Sequence, residues 1–167
     1  MGKLEGKRMV ITGSSRSLGR QFALACAAQG ASLVINGTNR DALAATEAEV
    51  ADLGAPVVSV LGSVADSAVC TALVEASVDT FGGIDVMVNN AGIVRDRTLL
   101  KMTDEEFDEV IAVDLRGPFL CTREAARAMK EQGNGHIIQI TSASGLVGNF
   151  GQTNYAAAKA GLMGMMY

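Results

Sequence analysis

Short apolar runs alternate along the chain with longer stretches in which apolar residues recur at helical spacing. Runs that are short, rich in Val and Ile and bounded by turn residues are typical of buried strands. Strands are therefore predicted at residues 8–12, 32–36, 57–61, 84–90 and 136–141. The stretches between them predict helices over about 17–29, 40–54, 66–80 and 104–132, with a last helix from about 153.

The longest of these helices carries two signals of its own. Thr103 precedes it and Glu106 follows three residues later, which is the spacing of a capping box. Pro118 lies inside it and predicts a kink, because proline removes a backbone donor from the helix.

The alternation of strands and helices predicts an α/β fold with a doubly wound parallel sheet. Right-handed crossovers give the strand order 3-2-1-4-5. A ligand crevice is then expected where the order reverses, at the carboxyl ends of strands 1 and 4.

Composition and charge narrow the possible partners. The 167 residues are 49% hydrophobic but 4% aromatic, which fits a core of small aliphatic side chains between sheet and helices. The net charge of -4 argues against a nucleic-acid partner, and no apolar run reaches the roughly 18 residues that span a bilayer. We therefore expect residues 1–167 to form a single domain without a membrane partner.

The cysteines and the histidine give no sign of a metal centre. Cys26, Cys70 and Cys121 are scattered without metal or redox spacing, which favours reduced thiols and a cytoplasmic location. His136 stands alone, without the Cys or Asp spacing of a metal site. We therefore expect no metal.

A glycine-containing turn, TGSSRSLG, follows the first strand and opens a helix at residues 12–19. Backbone N–H groups at such a helix start can hold a pyrophosphate. An ordinary turn remains the alternative, because a short glycine pattern is weak evidence alone. The sequence NNAG at 89–92 ends the fourth strand on the other side of the expected crevice, where it could bind a ligand or cap a turn.

A third motif follows strand 5. Ser142 lies 13 residues before Tyr155, and Lys159 lies one helical turn after that tyrosine. A free tyrosine has a pKa of about 10. A neighbouring ammonium favours the phenolate, so a Tyr and a Lys at i and i+4 can form a proton-transfer pair. A Tyr and a Lys at this spacing are common by chance. The occurrence of all three motifs in this order is much less so, and it supports a functional interpretation of the pair.

In this combination the sequence resembles the short-chain dehydrogenase/reductase family over the whole chain. Thr12, Gly13 and Gly19 match the family's glycine-rich motif, and residues 89–92 match its second motif in full. The motifs are most similar to those of the 3-oxoacyl-[acyl-carrier-protein] reductases. They also resemble the dehydrogenase part of the peroxisomal multifunctional enzymes. The resemblance implies a Rossmann-like sheet.

Catalytic roles follow from the resemblance. Ser142, Tyr155 and Lys159 match the family's catalytic residues at the family spacing. Tyr155 would protonate a substrate carbonyl, Lys159 would favour the phenolate and bind the nicotinamide ribose, and Ser142 would orient the carbonyl. The implied activity is NADPH-dependent reduction of a 3-oxoacyl thioester in fatty acid metabolism. Two alternatives stay open: an NAD-dependent 3-hydroxyacyl-CoA dehydrogenase, and a non-catalytic nucleotide-binding fragment.

The resemblance also implies which residues bind the cofactor. NADPH is expected before NADH, because Gly37 stands where NAD-specific relatives carry a carboxylate and Arg16 can meet a phosphate. Arg40 could add a contact. The expected cofactor-binding residues are Gly13, Ser14, Ser15, Arg16, Ser17, Leu18, Gly19, Thr38, Ser63, Val64, Asn90, Ala91, Gly92, Tyr155 and Lys159.

Three positions depart from the family pattern. Ser17 replaces the middle glycine, which would cost on the order of 1 kcal/mol if its φ must be positive. Asp114 stands where the family usually has a catalytic asparagine, so it joins the candidate catalytic residues as a modifier. Ser63 replaces an aspartate that often contacts the adenine.

The end of the chain raises a last expectation. Nothing in AGLMGMMY terminates a helix, and family members run to roughly 250 residues, so we expect a chain interrupted at its C-terminus. Its sheet would lose the strands that follow residues 136–141, together with the substrate region, and the short chain would not turn over. The full-length form is expected to be a dimer or tetramer, whereas this chain would associate weakly.

Overall fold

The five predicted strands all form and pair in parallel, in the order β3-β2-β1-β4-β5 that the sequence predicted. The computed structural model describes residues 2–166. The strands are β1 Arg8–Ile11, β2 Ser32–Gly37, β3 Val57–Leu61, β4 Val86–Asn89 and β5 His136–Gln139.

The helices lie between the strands as predicted, with ends that differ by a few residues. They are α1 Ser17–Ala27, α2 Arg40–Asp52, α3 Ser67–Phe81, α4 Asp104–Ile111, α5 Gly117–Gln132, α6 Ser144–Val147 and α7 Thr153–Gly164. The capping box predicted at the start of α4 is present: the Thr103 hydroxyl accepts from Glu106 N–H, and the Glu106 carboxylate accepts from Thr103 N–H.

Two layers of helices cover the sheet because successive strand side chains point to opposite faces. On β1, Val10 joins the core beneath α3 and α5, whereas Met9 and Ile11 join the core beneath α1 and α2. All three side chains are at most 5% exposed. The central strand is thus buried on both faces, which holds the carboxyl ends of the strands in fixed positions.

The predicted long helix is interrupted, though not by a simple proline kink. A π-helical turn at Ala112–Arg116 separates α4 from α5, and Pro118 lies in the first turn of α5. Pro118 has no N–H, so an α-helix would lack the hydrogen bond from residue 118 to the carbonyl of residue 114 in any case. The preceding turn can therefore widen into a π-helical turn without losing a hydrogen bond at this position. The interruption therefore precedes the proline and carries Asp114.

Three further details differ from the prediction. The short helix α6 and a 3₁₀ turn at Leu99–Lys101 were not expected, because neither has enough residues to show a period. Helix α7 ends at Gly164, and the prediction that it runs to Tyr167 extends beyond the described residues. Among residues 2–166, no helix has the length and apolar character needed to cross a bilayer.

Within the described part of the chain, β5 pairs with β4 and forms one edge of the sheet. Ile137 and Ile138 are 36% and 45% exposed there. An edge strand with exposed apolar side chains and unpaired backbone groups is a template for pairing with another chain.

We predict that Ile138→Lys slows aggregation of the 167-residue chain several-fold, because a charge on an edge strand opposes pairing with a second edge. Leu53→Lys is the matched control, since Leu53 is 50% exposed and lies at the end of α2, outside β5. Static light scattering at constant protein concentration measures the rate. Equal rates for the two variants would contradict an edge-directed association.

Candidate active site

The carboxyl ends of β1 and β4 are tied together by one hydroxyl group. Thr12 Oγ1 accepts from the backbone N–H groups of Asn90 and Ala91, at 3.0 Å each, and donates to the Val88 carbonyl at 3.3 Å. The Asn90 amide closes the gap from the other side, donating to the carbonyls of Thr12 and Gly13 at 2.9 and 3.2 Å. The glycine-rich turn and the NNAG segment are therefore one hydrogen-bonded unit.

Two glycines of this unit leave no room for a side chain. Gly13 has φ +63°, and a Cβ there would lie 2.7 Å from the Ala91 Cα. A Cβ on Gly19 would collide with the Gly13 carbonyl oxygen and with the Asn90 amide. The turn can therefore hold the start of α1 directly against the end of β4.

The N-terminus of α1 differs from those of its neighbours. Asn39, Asp66 and Thr103 accept capping hydrogen bonds from α2, α3 and α4. At α1, the capping position is Arg16, whose side chain makes no capping bond within residues 2–166. The first N–H groups of a helix lack partners within the helix, so those of α1 are open to an anion such as a pyrophosphate.

A cavity of about 640 Å³ lies over these N–H groups, at the crevice predicted from the strand order. Most of the predicted cofactor residues line it: Gly13, Ser15, Arg16, Ser17, Leu18, Gly19, Thr38, Ser63, Val64, Asn90, Ala91 and Gly92. The volume and the exposed helix N-terminus fit a dinucleotide. The cavity wall also includes Asn36, Gly37, Gly62, Ile93, Arg95, Glu109 and Val113.

Ser14 is placed differently from the other turn residues. It is fully buried, its hydroxyl donates to the Ile11 carbonyl at 2.7 Å, and its Oγ accepts from Asn36 N–H at 2.9 Å. Ser14 thus joins β1 to β2 beneath the cavity, and its predicted contact with a cofactor has no support from this placement.

Asn36 is a structural residue of the site that the sequence reasoning missed. Its amide donates to the carbonyls of Val60 and Gly62 at 2.9 and 3.0 Å, and its Oδ1 accepts from Gly13 N–H at 3.3 Å. It therefore holds the ends of three strands together. The available signal was a polar residue, 2% exposed, at the end of an otherwise apolar strand.

Ser17 adopts a backbone conformation that favours glycine. It is the one non-glycine residue among residues 2–166 with a positive φ, +47°. The left-handed region costs an L-residue roughly 1–2 kcal/mol. Its placement at the start of α1, on the cavity wall, means that this strain is stored in the turn facing the cavity.

Tyr155 and Lys159 of the third motif lie together on α7, and neither they nor Ser142 is among the residues that line the cavity. Lys159 is 3% exposed, and its Nζ lies 5.4 Å from the centre of the Tyr155 ring. Lys159 Nζ donates to the Ile140 carbonyl at 3.1 Å, which ties α7 to the end of β5. Ser142 follows β5, and its Oγ accepts from Ser144 N–H at 3.2 Å. The Ser142 hydroxyl proton therefore stays available to a ligand.

Lys159 approaches the cavity from behind its wall. A Cβ on Gly92, which lines the cavity, would lie 3.5 Å from Lys159 Nζ. Thr141 Oγ1 donates to the Lys159 carbonyl at 2.9 Å, so the backbone as well as the ammonium is fixed to the segment after β5.

Asn154 holds the start of α7 and was also missed. It is fully buried, and its amide donates to the carbonyls of Arg95 and Glu106 at 3.1 Å each. Its Oδ1 accepts from Tyr155 N–H at 2.8 Å. From sequence alone, an Asn in the first turn of a helix is interpreted as a capping residue. Its hydrogen bonds to distant carbonyls can be recognised only once the fold is known.

Asp114 lies directly against the lysine. Its Oδ1 accepts from Ile93 N–H at 2.8 Å, and its Oδ2 lies 3.2 Å from Lys159 Nζ. Burial raises the pKa of Asp114, and the Ile93 N–H and the Lys159 charge oppose that rise. Asp114, the predicted modifier, thus touches the lysine of the predicted proton-transfer pair.

Comparisons with known proteins identify the family of the chain. A family model described as short chain dehydrogenase matches residues 7–167. The chain is 42% identical to a 3-oxoacyl-[acyl-carrier-protein] reductase of Synechocystis sp., over 98% of this chain and 67% of that protein. It is 44% identical to a hydroxyacyl-CoA dehydrogenase of Mycobacterium tuberculosis, over 95% of this chain and 54% of that protein.

Solved structures agree with the fold. The crystal structure of a short chain dehydrogenase from Mycobacterium avium superposes with a TM-score of 0.93 at 40% identity. The match covers 98% of this chain and 62% of that one, so the chain spans between half and two thirds of the length of these relatives.

We predict that Ser17→Gly raises the free energy of unfolding by about 1 kcal/mol, because glycine adopts a positive φ without steric cost. Ser15→Gly is the control, since Ser15 is not among the residues with positive φ and should lose stability or stay unchanged. Urea unfolding followed by circular dichroism measures both. A destabilised Ser17→Gly variant would show that its hydroxyl, rather than its backbone, determines the energetics of the turn.

Proposed function

The chain belongs to the short-chain dehydrogenase family, and from that premise we propose that it reduces a 3-oxoacyl thioester to the 3-hydroxyacyl form with NADPH. The observation that carries the proposal is the position of Lys159. Its ammonium lies against the Tyr155 ring and behind Gly92, which lines the dinucleotide-sized cavity.

Each side chain has a role that its contacts support. The bound dinucleotide supplies the hydride. Tyr155 gives its phenolic proton to the carbonyl oxygen of the substrate, and the Lys159 ammonium favours the phenolate that remains. Ser142 accepts a hydrogen bond from Ser144 N–H and so can donate its own proton to the same carbonyl oxygen. The residues therefore form a general-acid site for carbonyl reduction.

The preference for NADPH rests on two features of the cavity wall. A Cβ on Gly37 would lie 2.5 Å from Ser15 Oγ, so a carboxylate that binds a ribose hydroxyl cannot be introduced there without displacing Ser15. Arg16 and Thr38 are exposed, and both line the cavity. A guanidinium suits a phosphate geometrically and electrostatically.

A second candidate is an NAD-dependent 3-hydroxyacyl-CoA dehydrogenase. It is favoured by the 44% identity to the mycobacterial protein of that name. Oxidation would use the same residues, with the Tyr155 phenolate accepting the proton of the hydroxyl group. Cofactor preference separates the two candidates. A third alternative is a fragment that binds nucleotide without turnover. Such a fragment would keep the cavity and bind NADPH, but neither the parent nor a Tyr155 variant would have measurable activity.

We predict that Arg16→Ala weakens NADPH binding about tenfold and changes NADH binding less than about twofold, because a lost hydrogen bond to a charged group costs roughly 1.5–3 kcal/mol. Arg20→Ala is the matched control on the same helix, since Arg20 pairs with Glu49. Fluorescence titration of the whole protein measures the affinities. Tighter binding of NADH by the parent, or an unchanged NADPH affinity in the variant, would contradict the assignment.

We predict that Tyr155→Phe lowers kcat at least about a hundredfold and leaves NADPH affinity within about threefold, because general acid catalysis contributes roughly 10²–10⁴. The assay follows NADPH oxidation with an acetoacetyl thioester. Thr153→Ala, an exposed position in the first turn of the same helix, should keep the parent rate. A Tyr155→Phe rate within tenfold of the parent would refute the role of the phenol.

A further inference from the structure

Asp114 introduces a carboxylate next to the ammonium that serves Tyr155. We propose that Asp114 keeps the Tyr155 phenol protonated, and the site ready for reduction, to a higher pH, by offsetting the positive charge that Lys159 presents to that phenol. Asp114 thus acts through the Lys159–Tyr155 pair and is a positioning residue rather than a catalytic one. The inference rests on the proposed function, because it assumes that Tyr155 exchanges the proton.

The contact between Asp114 and Lys159 is direct and buried. Asp114 Oδ2 lies 3.2 Å from Lys159 Nζ, and the two side chains are 0% and 4% exposed. Oδ2 has no well-aligned hydrogen bond within the described residues, whereas Lys159 Nζ directs a bond at the Ile140 carbonyl. The carboxylate therefore acts on the lysine mainly through charge.

Space around the pair is too small for another group. A Cβ on Gly92 would lie 2.7 Å from Asp114 Oδ2. The π-helical turn places Asp114 here, and the Ile93 N–H holds its other oxygen at 2.8 Å. The charge is thus fixed in position, and salt screens it little because the pair is buried.

The sign of the effect follows from the two forms of Tyr155. Reduction consumes the phenol and oxidation of an alcohol consumes the phenolate. A positive charge nearby favours the phenolate, and a negative charge favours the phenol. An ionised Asp114 therefore widens the pH range in which the phenol is present. Burial raises the pKa of Asp114, so the carboxylate loses its charge at a higher pH than an exposed aspartate would.

Other charged groups near the pair come from the loop after β4 and from α4, and they are already partnered. Arg95 pairs with Glu109, Arg97 pairs with Glu106, and Asp96 accepts from the Gln152 amide. Residues 137–158, which include β5, α6 and the start of α7, carry no charged side chain. A change at Asp114 therefore leaves the remaining charges around Tyr155 as they are.

The composition of the chain makes the Tyr155 phenol observable. The sequence has 2 tyrosines and 0 tryptophans, so tyrosinate absorbance has little background. Ultraviolet difference spectra are recorded against pH for the parent and for Asp114→Asn. The same titration of Tyr155→Phe in each background is subtracted, which isolates the Tyr155 signal.

In Asp114→Asn, we expect the Tyr155 tyrosinate signal to appear at least about half a pH unit lower, because a nearby negative charge has been removed. In the whole protein, the reduction rate of the variant should begin to fall with rising pH at a correspondingly lower pH, for the same reason. Asp108→Asn is the matched control for net charge: Asp108 is exposed on α4 and should produce no shift. Asp114→Ser keeps an acceptor for Ile93 N–H and replaces the Asn variant if that variant does not fold.

An unchanged or higher pH of ionisation in a folded Asp114 variant overturns the inference, even if Tyr155→Phe abolishes turnover and the proposed function stands. Absence of thioester reduction by the parent overturns the proposed function instead. A shift equal to that of Asp108→Asn also overturns the inference, because it would be an effect of net charge alone.

Discussion

The site depends on the joint that Thr12 makes between two neighbouring strands. In a parallel sheet the crevice lies where the crossovers from two neighbouring strands leave in opposite directions. The loops that follow these two strands therefore diverge, and the strand pairing itself does not hold them together. One buried hydroxyl, accepting from two backbone N–H groups of the next loop, joins them here. The start of α1 and the loop after β4 are held as one piece, and the cavity forms over that piece.

Close contact between backbone segments requires a positive φ at two positions of the turn, and the two positions carry different residue types. Gly13 gives the turn its positive φ without strain, and Ser17 adopts the same half of conformational space with a side chain. The side of the crevice that holds Lys159 shows a parallel case in electrostatics. Asp114 and Lys159 are both removed from water, and their mutual attraction only partly offsets the burial of the carboxylate.

The sequence predicted the strands, their order and the crevice because these follow from short-range apolar patterns and from the handedness of crossovers. It placed Tyr155 and Lys159 together because i and i+4 share a helix face. It could not predict the roles of Asn36 and Asn154, whose long-range side-chain partners lie 23 to 59 residues away and are set by tertiary packing. The π-helical turn was not predicted for a related reason: Pro118 indicates that the helix is interrupted, but it does not indicate whether the interruption is a kink or a π-helical turn.

That π-helical turn also fixes the relative phase of the two helices it separates. One residue more per turn rotates everything that follows by about 100°. Helix α4 thereby presents its packing face to α7, while α5 presents its own to α3 and β4. A continuous α-helix of the same residues would turn one of these faces away from its neighbour. The number of residues in segment 112–116 is therefore fixed by the packing on both sides of it, and an insertion or deletion there would turn α4 or α5 away from its neighbour.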